Sequence, residues 1–274
     1  MSLLWAGLIV VVVAAAAIAV MLLVRRTAPE GSYFEDGDRA AGVFGVISTG
    51  FAILLGFVVF LAFESYDTSR SGAETEAQVV AQQFQTAQLL PLAARRPMSE
   101  ALVCYARSVV YTEWPQMRTG SAGGLINPWS VTMFKTLQTI EPVKASEQAA
   151  YGKWLDQQSD RQTGRTDRTH GAEGVIPTPL WIVLFLSAGI IFVFMLFFAD
   201  SGERARVQAT MMGGVAVVIT AMLLLLWFLD NPYHTGVGGL PPTAMERTLA
   251  LLDEQVKIVG IELGDVCDAR GAAT

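Results

Sequence analysis

Residues 3–24, 41–63, 180–199 and 207–229 contain no charged side chain, and that single feature limits what this chain can fold into. A helix needs about 20 apolar residues to cross the roughly 30 Å hydrocarbon layer, and each of the four runs reaches that length. Of the 274 residues, 52% are hydrophobic and only 16% are charged, whereas a soluble domain carries about 25%. The expected fold class is therefore an all-α membrane protein with four transmembrane helices. The first run lacks a basic leader, is longer than the apolar core of a signal peptide and is followed by Arg25 and Arg26. It reads as an uncleaved span.

The polar segments divide the rest of the chain. Residues 1–63 hold spans one and two, 64–178 form a helical extramembrane insert, and 179–229 hold spans three and four. Residues 230–274 make a Pro/Gly connector and an amphipathic C-terminal helix expected over 243–263. That helix and the insert together form the extramembrane domain. The second span continues into the insert without a proline. Tyr66, Ala73, Ala77, Val80, Phe84 and Ala87 follow at helical spacing. Glu64, Asp67, Glu74, Glu76, Gln78, Gln82 and Gln85 read as the opposite, solvated face. One helix is thus expected to near Leu90, kinked at Gly72. It is roughly 75 Å long at 1.5 Å per residue, of which about 30 Å lies in lipid.

Further along, Pro97 suits the first turn of a helix reaching about Met117, and Pro115 is expected to end it. The segment "GSAGG" reads as a flexible break. Asn127 and Pro128 mark a helix start, as a cap followed by a first-turn proline. A further helix is expected over 143–161, with Arg165 and Arg168 in a polar stretch after it.

The net charge of −6, without a dense Lys/Arg cluster, excludes nucleic acid as a natural partner. His170 and His234, and Cys104 and Cys267, lie too far apart in sequence for metal-ligand spacing. Glu35, Asp36 and Asp38 fail the calcium-loop pattern, which also needs a closing Glu. No nucleophile, zinc or phosphate-loop motif occurs, so the chain is expected to be neither an enzyme nor the holder of a cofactor or metal. Its partners are the lipid bilayer of the cell membrane, further copies of itself and small ions.

The second span carries the most information. Gly42, Gly45, Thr49, Ala52 and Gly56 fall at alternating steps of three and four, a stripe of small residues that lets helices approach closely. Ordinary packing inside one subunit accounts for such a stripe. The sharper reading is a helix shared among subunits and lining a central axis, with Glu64 and Asp67 at its mouth. No charge interrupts any span, so a pore here has an apolar or small-residue wall.

"GFVVFLAFESYDTSRSGAETEA", "YARSVVYTEWPQM", "VIPTPLW" and "FLDNPYHTG", in that order around four spans, resemble the bestrophin-like family of uncharacterised, mostly bacterial membrane proteins. The resemblance covers about residues 31–252. It implies two spans, a long helical insert, two more spans and a C-terminal helix. It also implies the pentameric, axial-pore assembly of the bestrophin channels, whose second span lines the pore. The acidic calcium clasp of those channels has no counterpart here, and the large apolar side chains of their neck are replaced by the small-residue stripe.

The expected function is an oligomeric, channel-like protein that passes small ions. The alternative is a non-conducting scaffold or stress-responsive component whose insert binds a protein. Arg25, Arg26, Arg39, Arg204 and Arg206 lie in the two short loops, which places those loops in the cytoplasm and the insert outside. The bestrophin layout implies the reverse. Cys104 and Cys267 share one side of the membrane either way. Outside they are in reach of oxidation and pair if their Cα atoms come within about 7 Å, whereas in the cytoplasm they stay reduced.

Overall fold

The computed structural model describes residues 3–121 and 126–274. Part of the expected break at "GSAGG", residues 122–124, lies outside the described residues. In chain order the helices are α1 (Leu3–Arg25), α2 (Gly37–Ala87), α3 (Leu92–Ser108), α4 (Trp114–Arg118), α5 (Pro128–Gln138), α6 (Ala145–His170), α7 (Thr178–Phe197), α8 (Ala205–Asp230) and α9 (Thr243–Val259). Among the described residues the only β pairing is an isolated bridge between Cys267 and Ala273. The all-helical class holds, and α1, α2, α7 and α8 are long and apolar enough to cross a membrane. Two compact units are present. One comprises Met1–Glu64, Val175–Asp230 and Thr235–Gly238; the other comprises Ser65–Gly174, Asn231–His234 and Gly239–Thr274.

The first unit is the membrane bundle. Phe51, Leu55, Val58 and Ala62 of α2 pack with Leu184, Ala188 and Ile191 of α7 and with Ile219 and Leu226 of α8. Helix α1 lies along α8, close enough that a Cβ at Gly213 would sit 2.8 Å from Cδ1 of Ile18. The two short loops meet. Arg25 donates to the Ser201 carbonyl at 2.9 Å, and Asp200 accepts the Gly31 N–H at 3.0 Å. At the other end of the bundle, Asp230 accepts the N–H groups of Val175 and Ile176 at 2.7 and 2.9 Å, fixing the chain just before α7.

The second unit is built on the polar half of α2. Ala73, Ala77, Val80, Phe84 and Ala87 enter its core as the stripe predicts, alongside Met98, Leu102, Tyr105, Trp154, Leu249 and Leu252. Several local expectations are corrected. Helix α2 runs unbroken through Gly72, where the missing side chain admits another helix. Pro97 sits inside α3, which begins five residues earlier at Leu92. Pro115 does not end the helical path, because a π-turn over Val109–Glu113 precedes it and Trp114 donates to the Val109 carbonyl. A widened turn shifts the carbonyl register that proline would otherwise strain. Asn127 does cap α5, accepting the Trp129 N–H at 3.0 Å.

After α9, Gly260 takes a left-handed conformation, φ 71°, and closes the helix onto the Val256 carbonyl at 3.0 Å. The tail then returns to α3. Glu100 accepts the Gly264 N–H at 2.7 Å, and the Trp129 indole donates to the Gly271 carbonyl at 2.7 Å. Gly271, at φ 78°, lies so close to the Ser108 nitrogen and the Cys104 carbonyl that no side chain fits. There Cys104 and Cys267 form a disulfide with Cα atoms 5.9 Å apart.

Candidate functional site

In the membrane bundle α2 buries one face and leaves the other open. The buried face is Phe51, Leu55, Val58 and Ala62. Gly42, Gly45, Thr49, Ala52 and Gly56 are all exposed. At Gly42, Gly45 and Gly56 no atom of the chain lies within 4 Å of where a Cβ would be, beyond the helix's own backbone. The small-residue stripe is therefore not used to pack α2 against α1, α7 or α8. Register carries it on through Phe60 and Phe63, both exposed, in steps of four and three that keep one helix face. Sequence reasoning missed these two rings, although their spacing from Gly56 was in view. Glu64 ends the bundle's share of that face. Asp67, one turn further along the helix and in the second unit, is also exposed.

Sequence reasoning also missed a buried charge cluster in the second unit. Helix α6 extends to His170, so Arg165 and Arg168 belong to it and not to a loop. Trp154, Gln157, Arg161, Gly164, Arg165 and Arg168 make its buried face. Glu76, expected on a solvated face, is fully buried instead. Arg168 binds it through two guanidinium nitrogens and donates to Glu113 at 2.6 Å. Glu113 also accepts from Arg165 at 3.0 Å and from Asn127 at 2.9 Å. The Tyr105 hydroxyl donates to Glu76, and the Tyr233 hydroxyl donates to the Arg168 carbonyl. Arg161 donates to Gln83 at 2.9 Å and to Ser130 at 2.8 Å, with its guanidinium 4.6 Å from the Tyr105 ring centre.

Burial opposes every charge in this cluster, and pairing decides the outcome. For Glu113 burial pushes the pKa up, but Arg168 and Arg165 outweigh it and hold the carboxyl below the ordinary value. For Arg168 burial pulls the pKa down, yet Glu76 and Glu113 raise it above the usual guanidinium range. Burial, aided by Glu76, raises the Tyr105 phenol, and burial brings Tyr233 up to about 12. These shifts keep Glu113 and Arg168 charged and the Tyr105 and Tyr233 phenols neutral at neutral pH. The cluster joins α2, the π-turn and α6. Among the described residues no group of three or more His, Cys, Asp or Glu side chains could hold a metal.

The bestrophin-like domain matches residues 8–243 of the chain. No curated protein matches it in sequence. Among solved structures, a single-substitution variant of a bacterial bestrophin homologue from Klebsiella pneumoniae superposes with a TM-score of 0.68 at 11% identity, covering 92% of this chain and 99% of that one. Another variant of that homologue gives 0.64 at 16% identity, with the same coverage. At these identities the likeness is one of fold.

Proposed function

The chain belongs to the bestrophin-like family, and from that premise we propose that it is an oligomeric channel of the cell membrane, passing small ions along an axis lined by α2 of each copy. The open small-residue stripe of α2 is the observation that supports this most. A face turned only to lipid has no need of small side chains, whereas glycine and alanine let neighbouring helices come close. Phe60 and Phe63 supply the hydrophobic constriction, a kind of gate that closes by losing its water. Glu64 and Asp67 follow as rings of carboxylate that favour cations at the mouth.

Two results test this reading. Gly45→Leu or Gly56→Leu is expected to dissociate the oligomer on size-exclusion chromatography in detergent, while Phe51→Leu, on the opposite face of α2, leaves it intact. Unchanged profiles for both glycine variants remove the stripe from the interface. In planar bilayers the purified protein should give single-channel steps, and Glu64→Gln with Asp67→Asn should shift the reversal potential towards lower cation preference. No current in any ionic condition assigns the protein instead to the scaffold reading, a non-conducting component whose insert binds a protein partner.

A further inference from the structure

We propose that the second unit lies outside the cytoplasm and is closed there by the Cys104–Cys267 disulfide. Two independent features of the chain converge on this.

The first is the pair itself. Cys104 belongs to α3 and Cys267 to the tail, 163 residues apart in sequence, and both are in the second unit. Their meeting is enforced by neighbours that do not involve sulfur. Glu100 holds Gly264, the Trp129 indole holds the Gly271 carbonyl, and the Thr112 hydroxyl donates to the Arg270 carbonyl at 3.3 Å. These contacts lay residues 264–271 along α3, and the Cα separation of 5.9 Å falls within the range a disulfide requires. Two thiols held this way stay reduced against the glutathione and thioredoxin of a cytoplasm and become a bond in an oxidising compartment.

The second is the arginine distribution. Arg25, Arg26, Arg39, Arg204 and Arg206 all sit in or beside the two short loops. Those loops are one surface of the bundle, joined by the Arg25–Ser201 and Gly31–Asp200 contacts and by a Ser201 N–H bond to the Pro29 carbonyl at 3.3 Å. Short arginine-bearing loops stay in the cytoplasm. Each span crosses once, so the segment between spans two and three and the segment after span four share the other side.

The oxidation is an ordinary exchange. One thiol loses its proton and attacks the disulfide of an extracytoplasmic dithiol–disulfide oxidant, giving a mixed disulfide and releasing one thiolate of the oxidant. The second thiol, as thiolate, then displaces the oxidant. The Cys104–Cys267 bond forms, two electrons and two protons leave the chain, and the oxidant departs as a dithiol.

The test leaves the native pair in place. Ser159→Cys puts a reporter thiol on the exposed face of α6, and Glu35→Cys puts one in the first short loop, where the residue is exposed. In intact cells a small membrane-impermeant maleimide should label Ser159→Cys before lysis and Glu35→Cys only afterwards. Denatured wild-type protein should take up no alkylating agent until it is reduced, and then two equivalents. The reverse labelling order overturns the proposed orientation. Alkylation of both native cysteines without reduction overturns the closure. Neither readout depends on whether the protein conducts.

Discussion

Arg168→Met should unfold the second unit at temperatures where the wild-type protein is intact. Arg168 is fully buried and is the shared partner of Glu76 and Glu113. Removing it leaves Glu76 with only the Tyr105 hydroxyl and Glu113 with Arg165 and Asn127. Breaking a buried ion pair from one side costs about 3–5 kcal/mol, a large share of a domain's stability of roughly 5–15 kcal/mol. Adding Glu76→Gln to Arg168→Met should recover part of that loss, because Glu76 is the carboxylate left buried without a cation, whereas Glu113 keeps Arg165. Thermal unfolding in detergent and the rate of proteolysis of the insert measure both. A single variant as stable as wild type would show that the cluster contributes nothing. A pH dependence follows as well. Glu113 titrates lower folded than unfolded, so its contribution is complete above the ordinary carboxylate value of 4.5 and is lost as pH falls through the depressed folded value. In Arg168→Met the acid limb should move to higher pH.

The second large effect is expected at Gly72→Leu. A Cβ at this position would lie 2.5 Å from the Arg168 nitrogen and 2.6 Å from Cβ of Asp167. Across the same crossing, a Cβ at Gly164 would lie 2.8 Å from the Glu76 nitrogen. Helices α2 and α6 thus meet glycine to backbone in both directions, and a backbone atom cannot swing aside as a side-chain tip can. Overpacking ordinarily costs about 1–3 kcal/mol, and here it also prises apart the helices that carry Glu76 and Arg168. The fitting control is Gly152→Ala, on the exposed part of α6 with nothing within 4 Å. There alanine should stabilise by about 0.5–1 kcal/mol through helix propensity. If Gly72→Leu and Gly152→Ala melt alike, the crossing is looser than described.

The spans were legible because lipid imposes one rule on every residue of a run, and a run without charge satisfies it visibly. The Asn127–Pro128 start was legible because a cap is local chemistry. The charge cluster was not, and the reason lies in α6. After Ala150 and Trp154 its inward face turns to Gln157, Arg161, Gly164, Arg165 and Arg168, so hydrophobic periodicity follows the helix to about residue 161 and takes the rest for a polar stretch. Once Arg165 and Arg168 were placed in a loop, Glu76 had no visible partner and fell to the water side. Pro97 and Pro115 misled in a similar way, since proline marks a boundary only where the helix cannot absorb it. Of the candidate site, the residues Gly42 to Gly56 and their common face were plain in the spacing. Whether a neighbour within the chain covered them depended on which sides α7 and α8 chose, and that is fixed by contacts distant in sequence.

The Cys104–Cys267 bond also changes what kind of object the polypeptide is. Helices α7 and α8, and everything else between the two cysteines, become part of one covalent ring, with α1 and α2 as a tail leading into it. A linear membrane protein cut once in a loop becomes two molecules. This one, cut once between residues 105 and 266, remains a single molecule until it is reduced. The two membrane hairpins thus stay covalently tethered through a nick.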